Sequence, residues 1–125
     1  MMKTTHRITV LAAAAVLASA AKAGAHAFLD HAEPKVGSTV ATSPAKVTAR
    51  FTQSIEPAFS TLKVLDANGK QVDKQDSAVD AKDPAVLSVS VPNLPAGTYT
   101  VEWKVTSVDT HRTHGTFTFT VQPKG

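Results

Sequence analysis

The stretch that decides the fold is "AGTYTVEWKVTSVDTHRTHGTFTFTV", residues 96–121. In its first arm Tyr99, Val101, Trp103 and Val105 recur at every second position; in its last arm Phe117, Phe119 and Val121 do the same. Side chains of a strand alternate between faces, so this spacing marks two strands with one buried face each. The pattern continues upstream. "KVTARFT" (46–52) alternates Val47, Ala49 and Phe51, and "TLKVLD" (61–66) alternates Leu62 and Val64 before Asn68-Gly69, a tight-turn signal. "AVLSVSVP" (85–92) places Leu87, Val89 and Val91 on one face. The segments "EPKVGS", "TSPAK", "DAKDP" and "PNLPAG" punctuate these runs. About seven short strands with no helical period predict an all-β fold, an antiparallel sandwich or barrel. Trp103 and Tyr99 are expected in the core between two sheets. Residues 70–85 read as a surface loop. Asp73, Asp76, Asp80 and Asp83 in it lack the spacing and the glycine of a calcium loop and read as a solvated face.

Residues 1–25 are expected to be removed. Lys3 and Arg7 precede an apolar run from Ile8 to Ala20, and Ala23-Gly24-Ala25 supplies a small-residue cleavage site. That is the layout of a secretory signal peptide, with an apolar run short for a membrane span. An uncleaved anchor is the alternative. Cleavage after Ala25 leaves one domain, residues 26–125, with ten basic and ten acidic residues, because Lys3, Arg7 and Lys22 depart. A neutral domain with no basic cluster argues against nucleic acid as a partner. Cysteine is absent, so no disulfide holds this exported domain. Met1 and Met2 lie in the signal, so the mature domain contains no sulfur at all.

Between the two arms of the opening stretch, Asp109, His111 and His114 put a carboxylate and two imidazoles into six residues. They fit a solvated turn, an acid–base pair or part of a metal site. A hydrolase built on Asp109 and His111 lacks a positioned nucleophile: Ser107 and Thr110 are near in sequence, but no third group is evident. The metal reading gains from the cleavage site, which makes His26 the first residue. An N-terminal histidine offers its α-amine and its imidazole to one cation, and that amine loses its proton easily near neutrality. Asp109 and His111, at i and i+2, project together if the segment is extended. Nitrogen-rich donors in a tetragonal arrangement suit Cu(II), with Zn²⁺ as a competitor. The third residue after cleavage is Phe28, so the square-planar site that needs histidine there is absent.

Taken together, "HAFLDHAEPKVGSTV", "ARFTQSIEPAFSTLKVLDANGK" and "LPAGTYTVEWKVTSVDTHRTHGTFTFTV" resemble the periplasmic copper-resistance protein C (CopC) family over essentially the whole mature chain. The resemblance implies an antiparallel Greek-key β-sandwich of immunoglobulin-like or cupredoxin-like shape. It also implies a Cu(II) site made of His26 (amine and imidazole), Asp109 and His111. The domain is expected to be a periplasmic monomer that sequesters copper or delivers it to an inner-membrane copper transporter or another periplasmic copper protein. Three departures from the family matter. The loop that is methionine-rich in some members, about residues 66–85 here, has no Met, so soft Cu(I) lacks its preferred donors and a Cu(II)-only protein is expected. Gln53 stands where an acid is frequent, and His31 and His114 where small polar residues are. For His114 and Gln53 a supporting position beside the metal is the expectation; His31, at an odd offset from His26, is expected to point away.

Two further classes stay open. An N-terminal histidine brace also serves copper monooxygenases, though Asp109 and a single Trp and Tyr weigh against that enzyme. A metal-free immunoglobulin-like interaction module would make "DTHRTH" a plain turn.

Overall fold

The computed structural model describes residues 26–124; the signal peptide expected over 1–25 lies outside them. Eight strands run in chain order: β1 (Leu29–Glu33), β2 (Thr39–Val40), β3 (Lys46–Phe51), β4 (Thr61–Leu65), β5 (Ala78–Val79), β6 (Val86–Ser90), β7 (Gly97–Thr106) and β8 (Arg112–Val121), with one 3-10 turn at Pro57–Phe59. They form two four-stranded sheets, ordered β1-β3-β6-β5 and β2-β8-β7-β4. The chain passes repeatedly between the layers, as in immunoglobulin-like Greek-key sandwiches.

Two expectations need correction. The sandwich has eight strands, and one sheet is mixed: β2 runs parallel to β8, with Thr39 opposite Thr120 and Val40 opposite Val121. A strand of two residues has no period to read, and its partner lies at the far end of the chain. β5 escaped notice for the same reason. Residues 70–85 are mostly loop, as expected, with β5 inside them.

Of the carboxylates of that segment, Asp76 and Asp80 are exposed, as a solvated face requires, while Asp73 departs from it. Asp73 is buried and accepts the backbone N–H groups of Val64 and Gln75, each at 2.8 Å, and the Gln71 amide. Asp76 accepts Ser90 N at 2.8 Å, Asp80 accepts Lys82 N at 2.8 Å, and Asp83 accepts Ala85 N at 3.1 Å and pairs with Arg50. Each satisfies backbone donors that have no ladder partner.

The long β7–β8 hairpin dominates the core. Tyr99, Val101, Trp103, Val105 and Phe117, Phe119, Val121 all face inward and are buried. Trp103 packs edge-on against Phe51, ring centroids 5.2 Å apart. Opposite it sits Gly115, where a Cβ would stand 2.6 Å from the indole, so only glycine lets the ring lie flat on β8. Tyr99 stacks on Phe119, and its hydroxyl donates to Pro95 O at 2.6 Å. This ties the start of β7 to the preceding turn, as tyrosine corners do. The inward row of β7 continues past Val105 to Ser107, which is fully buried. That row brings the hairpin's connecting loop to one end of the sandwich.

Candidate metal centre

The loop from Ser107 to His111 is a closed turn. Ser107 N donates to His111 O at 2.9 Å and Thr110 N to Ser107 O at 2.8 Å, with Thr110 in the left-handed region at φ 74°. Asp109 and His111 are thus not neighbours on an extended face, as their spacing suggested. The turn brings them together by another route: His111 Nδ1 stands 3.2 Å from Asp109 Oδ1. Their side chains keep 50% and 44% of their exposure, so solvent and ions reach both. The Ser107 hydroxyl donates to the same Oδ1. Asp109 Oδ2 makes no hydrogen bond among the described residues. The Ser107 hydroxyl first, and the imidazole second, hold the Asp109 carboxyl below the ordinary value of 3.8.

The N-terminal segment reaches this loop across the end of the sandwich. Phe28 N donates to Thr52 Oγ1 at 3.0 Å, and Thr52 Oγ1 lies 3.4 Å from His26 O. Thr52 N donates to Phe28 O at 2.8 Å. On the other side Thr113 Oγ1, at the start of β8, donates to the carbonyl of the buried Ala27. Held between β3 and β8, His26 lays its ring against that of His111, centroids 4.5 Å apart and planes at 70°. Phe28 meets the His26 ring edge-on at 6.0 Å.

These spacings suit a shared cation. Donors about 2.0–2.2 Å from a metal stand roughly 3 Å apart in adjacent positions, which matches His111 Nδ1 and Asp109 Oδ1 with a cation in place of the proton. Two imidazoles in adjacent positions on one metal keep their centroids roughly 4.5 Å apart, given bonds of about 2 Å. Only two imidazoles and one carboxylate gather here. No group of three His, Cys, Asp or Glu side chains stands in ready-made ligating geometry among the described residues. The His26 nitrogen is an amide while residue 25 precedes it, so the set gains its second His26 donor only on cleavage.

Of the remaining expected residues, Gln53 borders the His26 segment, while His114 and His31 lie elsewhere. Gln53 is half-buried between Thr52, which holds the His26 segment, and Ser54, whose carbonyl accepts Val108 N at 3.1 Å. His114 pairs with Lys104 on the outer face of the hairpin, the opposite face from Thr113. It lines an open groove of about 650 Å³ with Glu56, Phe59, Lys104 and Arg112. His31 is exposed and pairs with Asp30 at 3.3 Å, past an irregularity in the β1–β3 register. Ser107, Thr52 and Thr113 carry the architecture of the centre, and sequence reading assigned none of them this part. For Ser107 a signal existed: a hydroxyl at the end of an otherwise apolar inward row must find a partner.

Residues 29–122 match the CopC domain. The chain belongs to the CopC family. It is 35% identical over 121 residues to copper resistance protein C of Escherichia coli, covering 90% of this chain and 94% of that one. It is 34% identical over 99 residues to protein YobA of Escherichia coli, covering 78% and 80%. Among solved structures it is similar to CopC of Methylosinus trichosporium OB3b, with 38% identity, a TM-score of 0.71 and coverage of 80% of this chain and 97% of that one. The resemblance to PcoC of Escherichia coli, a methionine-rich copper resistance protein, has 34% identity, a TM-score of 0.69 and coverage of 78% and 99%. CopC-family sandwiches thus share this fold almost end to end.

Proposed function

We propose that the chain is a periplasmic copper-binding protein of copper resistance or homeostasis and not an enzyme, and that its cargo is Cu(II). One observation carries the reading: the His26 imidazole lies 4.5 Å from that of His111, whose Nδ1 is 3.2 Å from Asp109, at a solvent-accessible end of the fold. Cleavage after Ala25 frees the His26 amine. Amine and imidazole then close a chelate ring, with His111 and Asp109 completing a nitrogen-rich set of the kind that Cu(II) prefers over Ca²⁺ or Mg²⁺. One carboxylate and no thioether favour the Cu(II) state over Cu(I), because the mature chain holds no methionine or cysteine. Relatives named for copper resistance support the cargo, and the leader-like first 25 residues support the periplasm. The monomer, and delivery to an inner-membrane transporter or a second periplasmic copper protein, belong to the same reading.

The test is a Cu(II) titration of protein beginning at His26 against a competing chelator, with its paramagnetic resonance spectrum. One-to-one binding with a tetragonal, nitrogen-rich signal is expected. A single extra residue before His26 turns the amine into an amide and is expected to weaken binding by more than about 100-fold without altering the fold. Equal affinity for both forms removes the amine from the site, and weak heterogeneous binding by both removes the function.

A further inference from the structure

We infer that Ser107 is the positioning residue of this centre: its buried hydroxyl fixes the Asp109 carboxylate beside His111 before any cation arrives. The inference rests on the proposed Cu(II) site and adds to it a group that touches no metal. A hydroxyl has one proton to donate and two lone pairs to accept with. Ser107 Oγ is 0% exposed and donates to Asp109 Oδ1, with His111 O, 3.3 Å away, as the weaker neutral alternative. A charged acceptor makes the stronger bond, so the proton goes to the carboxylate. The same oxygen accepts His111 N–H at 3.2 Å. One buried atom thereby fixes both partners of the Asp109–His111 pair, the carboxylate through its side chain and the histidine through its backbone.

The turn does not need this hydroxyl to close. Ser107 N to His111 O and Thr110 N to Ser107 O are backbone bonds, and the Ile55–Ser107 bridge with Val108 N to Ser54 O pins the loop to its neighbour. All of these survive in a Ser107→Ala chain. What is lost is the orientation of Asp109, which is half exposed and, among the described residues, has His111 as its other side-chain donor. A cation that replaces the proton between Asp109 and His111 removes the His111 bond to Oδ1. Ser107 is then the donor left to hold the carboxylate, the part that groups behind metal ligands commonly play.

The test uses protein beginning at His26 in four forms: parent, Ser107→Ala, Asp109→Ala and the double variant. Cu(II) affinity is measured by chelator competition and the copper spectrum by paramagnetic resonance. Ser107→Ala is expected to weaken binding about ten- to hundredfold and to shift the copper hyperfine splitting. In the Asp109→Ala background the same change is expected to cost nothing further, because the two act as one unit. Without metal, the His111 amide of Ser107→Ala is expected to exchange with solvent faster than in the parent, while the near-ultraviolet dichroism of Trp103 stays unchanged. Parent-like affinity and spectrum in Ser107→Ala overturn the inference while leaving the Cu(II) site standing. An equal loss with and without Asp109 overturns it too, since Ser107 would then act on the fold alone. A parent that binds no Cu(II) sinks both the inference and the proposed function.

Discussion

An aspartate stands in each of two loops of this sandwich, and the two are left in opposite states. In the loop that follows β4, Asp73 is buried and its oxygens are spent on two backbone N–H groups and the Gln71 amide. In the β7–β8 loop, Asp109 is 44% exposed, holds a serine hydroxyl and an imidazole on one oxygen, and leaves the other without a partner among the described residues. A carboxylate whose acceptor capacity is used by backbone is part of the fold. One with spare capacity beside a titratable ring is able to do chemistry. The contrast teaches that hydrogen-bond accounting separates the acids of this protein better than sequence spacing does.

The comparison is open to being broken. The largest effect is expected from Asp109→Ala, which should reduce Cu(II) affinity by more than about 100-fold and leave the thermal midpoint near the parent's. Chelator competition and a thermal melt check both halves, and retained affinity would move Asp109 out of the centre. Asp73→Ala should do the reverse. Copper binding stays as it was, while stability falls by about 1–3 kcal/mol, the cost of stranding buried donors, as read from denaturant unfolding.

Acid sharpens the contrast next. Asp76 is held below the ordinary 3.8 by Ser90 and its backbone N–H, and Asp83 by Arg50 and Ala85 N. Each binds its proton less tightly folded than unfolded. Their contribution to stability is therefore complete above about pH 4 and is lost as the pH falls through their lowered values. The thermal midpoint is expected to stay level from neutrality down to about pH 5 and to drop below about pH 4. Asp76→Asn with Asp83→Asn should flatten that drop, and a midpoint that rises on acidification would contradict the assignment. The smallest effect belongs to His114→Ala. The side chain lies on the outer face of β8, and its loss is expected to change Cu(II) affinity less than about threefold, well short of the loss of a supporting group. A larger change would bring the outer groove into the centre.

Much of the sandwich was legible from alternation alone. Val47 to Phe51, Leu62 to Val64, Leu87 to Val91 and both arms of the β7–β8 hairpin face the core as their spacing demanded. What escaped were β2 and β5, two residues each, whose pairing rests on distant partners and not on any local pattern. The candidate centre was half legible. His26 was marked by the expected cleavage site and Asp109 with His111 by composition, but the expected extended geometry of that pair gave way to a turn closed around Thr110. Ser107, Thr52 and Thr113 went unread because a hydroxyl declares its partner only when the chain is folded.

By itself the sequence determined the two buried faces, the lack of any sulfur ligand after Met2, and the residue types able to hold a hard or borderline cation. These follow from period and from donor chemistry, which are properties of residues in order. Only the tertiary structure decided that His26 lies against His111, that Asp73 is buried in the fold while Asp109 stays half exposed, and that His114 faces the other way. Those outcomes depend on which strands pair across the sandwich and on how each buried polar group is satisfied. Neither is a local quantity: contacts between the two ends of the chain exist only once both sheets have closed over the core.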